Sequence, residues 1–158
     1  MRAFEIFADM EAERAERLIA EISSVAPAVY AQAMALVGAA MKARPQYILK
    51  QPAAKRADMI RRVLGRVRSN DMAEEVLATY FIDARKELLV EWLDLLGLEH
   101  EEGILSTDTP AAPDDEKIAA SVTTFRSAED DSGEDRELLL KAFAAQRAIN
   151  WPALEDRI

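Results

Sequence analysis

A chain of 158 residues with 29 acids, 20 bases and half its residues hydrophobic is long enough for one packed domain and too apolar for global disorder. The absence of cysteine excludes disulfides, thiolate metal sites and cysteine nucleophiles. Few glycines and prolines, against an excess of Ala, Leu, Glu and Arg, make a helix-forming composition, because unbranched side chains lose little rotamer freedom in a helix.

The chain opens Met1-Arg2-Ala3-Phe4-Glu5 and stays acidic through Asp9, Glu11 and Glu13, where a secretory leader would turn apolar. A soluble, cytoplasmic protein is the expectation. Helical periodicity begins with a first helix from about Asp9 to Ser24, with Ala15, Leu18, Ile19, Ile22 and Ala26 as its buried stripe. Phe4 and Phe7 would fold back over it or extend it. A second helix spans about 27 to 43, opened by Pro27, which suits a first helical turn. Residues 22 to 41 carry no charge, but Ser23, Ser24, Pro27 and Gln32 interrupt them and most of the apolar residues are Ala. A membrane span needs larger apolar residues over that length, so this segment reads as a central helix buried on most sides.

Pro45 and Pro52 bracket a short turn holding Tyr47, Ile48 and Leu49. A basic helix follows over about 53 to 68, with Met59, Ile60, Val63, Leu64 and Val67 inward. From Asp71 to Leu96 the apolar stripe changes direction by roughly 100° between its two halves, which predicts a kink or break near Asp83 to Lys86. Residues 97 to 113 read as a loop. Asp114 to Phe125 forms a helix on Ile118, Val122 and Phe125, and a last long helix buries Leu139, Leu140 and Phe143. Ser132 and Asp135 resemble a capping box for that last helix, and Trp151 anchors the tail. The fold expected is all-α, one domain over residues 1 to 158, with about six or seven helices in an irregular bundle around the helix at 27 to 43.

Charge is the most informative pattern. Residues 42 to 68 hold nine Lys or Arg against Asp58 alone, a net of +8 in a chain of net −9. Core burial does not select the sign of surface charge, so this asymmetry implies an acidic neighbour. On a helical wheel Lys55, Arg62 and Arg66 lie within roughly 40° of one another, with Arg61 and Arg68 on the opposite flank. The neighbour favoured is protein carboxylate, either of this chain or of a second copy. The ridge of Asp83, Glu87, Glu91 and Asp94 is one candidate complement. Nucleic acid is disfavoured, because the whole chain is acidic and Tyr47 is the region's lone aromatic. Arg56 projects into the apolar sector of its helix, where an arginine either snorkels to the edge of the core or pairs with a buried carboxylate, and pairing is the favoured reading.

No catalytic constellation emerges. Glu-x-x-His and the phosphate-cradling glycine motifs are missing, so neither a metal nor a cofactor is expected. His100, in Glu99-His100-Glu101-Glu102-Gly103, has no nucleophile beside it and suits a helix C-terminus. The function expected is therefore non-enzymatic, through contacts with another protein or a second copy, with Lys55, Arg56, Arg62, Arg66 and His100 as candidate binding residues and no membrane partner. Two alternatives stand: nucleic acid or a phosphate-bearing ligand on the basic helix 53 to 68, and a small ligand or catalysis in an inter-helix pocket near Arg56, Tyr30, Tyr47 or His100.

Overall fold

A computed structural model describes all 158 residues, 70% of them helical. Ten α-helices occur, more than the expected six or seven, because breaks divide segments that looked continuous. They are α1 (Ala3–Asp9), α2 (Ala12–Val25), α3 (Pro27–Met41), α4 (Pro45–Leu49), α5 (Ala53–Leu64), α6 (Asn70–Thr79), α7 (Lys86–Leu96), α8 (Asp115–Arg126), α9 (Gly133–Ala144) and α10 (Pro152–Glu155). The contacts gather into two compact units, Arg2–Ala84 and Arg85–Ile158.

In the first unit α2 packs along α5, and α1 lies against α5 and α6. Phe7 is fully buried from its own helix, α1, rather than from a lid or an extension of α2. The chain turns extended at Met10, and α2 starts after Glu11 with no cap from Asp9. Ala15, Leu18, Ile19 and Ile22 form the buried stripe of α2, as their spacing requires. Gly65 ends α5 where a Cβ would lie 3.1 Å from the backbone of Ala8, so α1 crosses closely there. A 3₁₀ turn, Val67–Ser69, completes the expected basic helix and leaves Val67 exposed.

The helix expected at the centre lies at the periphery. Only Ala33 and Val37 of α3 are buried, and Met41 is exposed. The reason is side-chain size. A helix of alanines is apolar by count but removes little area from water, whereas Leu18, Ile22, Ile60, Leu64, Leu77 and Tyr80 offer far more per residue and take the centre.

The stripe's change of direction appears where it was expected. A π-helical turn, Tyr80–Ala84, follows α6, and Arg85 leaves helical geometry at φ −135°, ψ 40° before α7 begins. The extra residue per turn re-aims the apolar face, so Tyr80 and Phe81 are buried before the break and Leu88, Leu89 and Trp92 after it.

In the second unit α8 packs against α7, α9 and α10 around an aromatic chain. Trp92 lies 5.3 Å from Phe125 and 5.9 Å from Phe143, and Phe143 lies 5.6 Å from the tail anchor Trp151. Asp114 caps α8, accepting from the Lys117 N–H at 2.7 Å. The loop after α7 contains a two-stranded hairpin, β1 (His100–Glu101) and β2 (Ile104–Leu105). Its central residues, Glu102 and Gly103, both have positive φ, as a type I′ turn requires. No helix is long and apolar enough to cross a membrane.

Candidate functional site

The basic segment faces solvent. Lys42, Arg44, Lys50, Lys55, Arg66 and Arg68 are exposed and form no ion pair. Internal neutralisation is confined to Asp58, which takes Arg61 at 2.8 Å and Arg62 at 2.8 Å. The hydrogen bond from Arg61, with the positive charge of Arg62 nearby, holds the Asp58 carboxyl below the usual aspartate range. Arg62 nonetheless remains 71% exposed. Of the expected complement, Glu91 binds Arg136 and Asp94 faces His100, while Asp83 and Glu87 stand exposed without an ion pair. The ridge of Lys55, Arg62 and Arg66 is therefore open, with one carboxylate at its edge.

Arg56 corrects a second expectation. Its partners are not carboxylates. The guanidinium donates to the Tyr30 phenol at 3.3 Å, to the Leu49 carbonyl at 3.2 Å and to the Gln51 carbonyl at 2.6 Å. Three neutral acceptors take three hydrogen bonds, from Nε and Nη1, so Arg56 ties α5 to α3 and to the connector carrying α4. Arg56 and Tyr30 thus meet, whereas Tyr47 points outward at 52% exposure.

The arginine buried against carboxylates is Arg136, 4% exposed on α9. Glu91 receives it in a two-pronged contact at 2.7 and 3.0 Å, and Asp130 takes it at 2.8 Å. It also donates to the Ser132 hydroxyl and the Phe125 carbonyl, with its cation 4.6 Å from the Phe125 ring centre. Glu91, followed by Asp130, raises the Arg136 pKa, while Arg136 and then Ser132 hold Asp130 well below the ordinary range. Ser132 makes no side-chain cap on α9, because its hydroxyl serves Asp130 and Arg136, and Asp135 pairs with Arg85 at 2.7 Å. The expected capping box is thus replaced by this network. The wheel position that marks Arg56 marks Arg136 equally: Arg136, Leu139, Leu140 and Phe143 share the i, i+3, i+4, i+7 stripe.

His100 is held at both nitrogens. Gly103 N–H donates to Nδ1 at 3.1 Å, which leaves Nε2 to carry the proton and face Asp94 at 2.8 Å. The ring closes the hairpin turn onto the end of α7. No three acidic or histidine side chains converge as a metal site would require.

The feature that sequence reasoning passed over is the corner at residues 41 to 50. Every residue there is exposed except Ala43 and the buried Ile48. Met41, Tyr47 and Leu49 present apolar surface, Leu49 at 58% exposure, between Lys42, Arg44 and Lys50. Ile48 supplies the anchor that lets the other side chains of α4 turn outward. The signal available beforehand was three consecutive large apolar residues, Tyr47, Ile48 and Leu49, in a single helical turn, which cannot point them all to one side.

Lys42 carries a further oddity. It ends α3 in the left-handed region at φ 51°, and Ala43 N–H returns to the Gly38 carbonyl at 3.1 Å. That is a Schellman turn, which ordinarily takes glycine at this position. Gly97 fills the equivalent place after α7, at φ 72°, with Leu98 N–H returning to the Leu93 carbonyl. An L-residue in that conformation costs about 1 kcal/mol.

Compared with protein-family models, curated proteins and solved structures, the chain matches none.

Proposed function

We propose that this chain is a non-enzymatic docking module that holds an acidic, partly apolar segment of a protein on the corner formed by residues 41 to 50. One observation carries the reading: three unpaired cations, Lys42, Arg44 and Lys50, share one ten-residue corner with exposed Met41, Tyr47 and Leu49. Unpaired cations favour an acidic partner and steer its approach, while large exposed apolar side chains gain only from a partner that covers them. Phosphate backbones supply the first need and not the second. Lys42 in a left-handed position supports the same reading, since a glycine there would serve the fold better. Arg56 holds the corner in place through the carbonyls of Leu49 and Gln51.

A second reading, phosphate backbone on the α5 ridge, draws support from the exposed and unpaired Lys55 and Arg66. Fluorescence anisotropy separates the two. A labelled amphipathic helical peptide, with Leu and Phe on one face and Glu or Asp on the other, should bind at least about tenfold tighter than polyglutamate of equal charge or a DNA duplex. Tyr47→Ser with Leu49→Ser should abolish that preference. Tighter binding of the duplex, indifferent to those substitutions and lost with Arg62→Glu and Arg66→Glu, would establish the second reading instead.

A further inference from the structure

The second unit presents the chemical opposite of the corner. An open groove of about 560 Å³ runs along α7, lined by Glu87, Val90, Glu91, Asp94 and Leu95. Its floor is apolar, from the half-buried Val90 and Leu95, and all five lining residues belong to one helix, so the groove is shallow and open to large side chains such as Tyr47 and Leu49. Its rim is acidic. Glu87 is exposed and unpaired, Asp94 is exposed beside His100, and Glu91 keeps 40% exposure while holding Arg136. Apolar surface rimmed by acids in one unit thus matches apolar surface rimmed by bases in the other.

Resting on the docking reading above, we infer that the partner is a second copy of this chain, whose corner at residues 41 to 50 seats in the α7 groove of the first. Tyr47 and Leu49 lie over Val90 and Leu95, and Lys42, Arg44 and Lys50 face Glu87, Glu91 and Asp94. The two surfaces are different, so the contact is head-to-tail, and repetition gives a ring or an open row rather than a two-fold dimer. Like charges prevent corner from meeting corner and groove from meeting groove, which sets the register.

Sedimentation velocity on the native protein tests this, with two charge variants that leave the Arg136 network intact. The first is Lys42→Glu, Arg44→Glu and Lys50→Glu. The second is Glu87→Lys with Asp94→Asn, which keeps Glu91 and an acceptor for His100. Circular dichroism of each confirms that it is folded. The native chain should grow in mass with concentration at low salt and return to monomer as salt rises, since exposed pairs are screened. Each variant alone should associate at least about tenfold more weakly, because the first carries acids on both surfaces and the second has lost the net negative charge of its groove. An equal mixture should regain association as a heterodimer, because the second variant's unaltered basic corner meets the first variant's unaltered acidic groove. A native chain monomeric up to ~1 mM at low salt, association unaffected by either variant, or a mixture that fails to recover would each overturn the inference. If the acidic peptide still binds the corner of a monomeric chain, the docking reading survives that failure; loss of peptide binding as well removes both.

Discussion

Arg136→Ala probes the buried polar network of the second unit. The variant removes a guanidinium that is 4% exposed and satisfied by Glu91, Asp130, Ser132 and the Phe125 carbonyl. Breaking a fully buried ion pair costs ~3–5 kcal/mol, mostly because the orphaned charge stays buried. Here the orphans are 40% and 47% exposed and regain water, which lowers the figure. Loss of the stacked cation on Phe125 adds back about 1 kcal/mol, and the Phe125 carbonyl loses a donor. A net loss of about 3 kcal/mol follows for Arg136→Ala in urea unfolding, with Arg136→Lys recovering only part because a point charge cannot grip Glu91 at both oxygens. The pH dependence has a definite sign. Asp130 is held below its unfolded value, so its contribution is complete above pH about 4 and drains away as pH falls toward the folded value. Arg136→Ala should flatten the acid limb of the stability profile that Asp130 contributes. A loss under about 1 kcal/mol with an unchanged acid limb would refute the view that this network holds α7 to α9.

Arg56→Ala should cost about 2 kcal/mol, through hydrogen bonds from a charged donor rather than an orphaned carboxylate, and should speed amide exchange over residues 45 to 51. Unchanged exchange there would deny Arg56 its clamping role. Lys42→Gly should raise stability by about 0.5–1 kcal/mol in urea melts while weakening the acidic peptide, because it relieves the left-handed turn and deletes a docking cation. A destabilised variant, or one with undiminished binding, would count against that division. Gly65→Ala should lower stability by about 1 kcal/mol, since its Cβ would press on the Ala8 backbone at 3.1 Å, outweighing the entropy gained in the unfolded chain.

The sequence made the helical class and most buried stripes legible because period is a local property: Leu18, Ile22, Ile60, Leu64, Val122 and Phe125 are all buried at their expected spacing. The break at Arg85 was equally legible, since two stripe directions cannot belong to one straight helix. The role of α3 was not, because an uncharged, alanine-rich helix has only a weak facing direction and its burial depends on what its neighbours offer. The hairpin escaped because strands of two residues contain no alternation to detect. Arg56 and Arg136 show the limit most clearly. Both interrupt apolar stripes, yet one meets carbonyls and a phenol while the other meets Glu91 and Asp130, and only tertiary position decides which. The charge asymmetry of residues 42 to 68 could be read directly, but its internal neutralisation by Asp58 alone depends on where the other acids lie.

Amide hydrogen exchange of the native chain, with and without saturating acidic amphipathic peptide, tests the docking account most directly. Protection should concentrate in residues 41 to 51, including the amides of α4, fade with salt and be absent from the Lys42→Glu, Arg44→Glu, Lys50→Glu variant. Protection confined to residues 53 to 68, or a corner that exchanges at the same rate with the peptide bound, would contradict it.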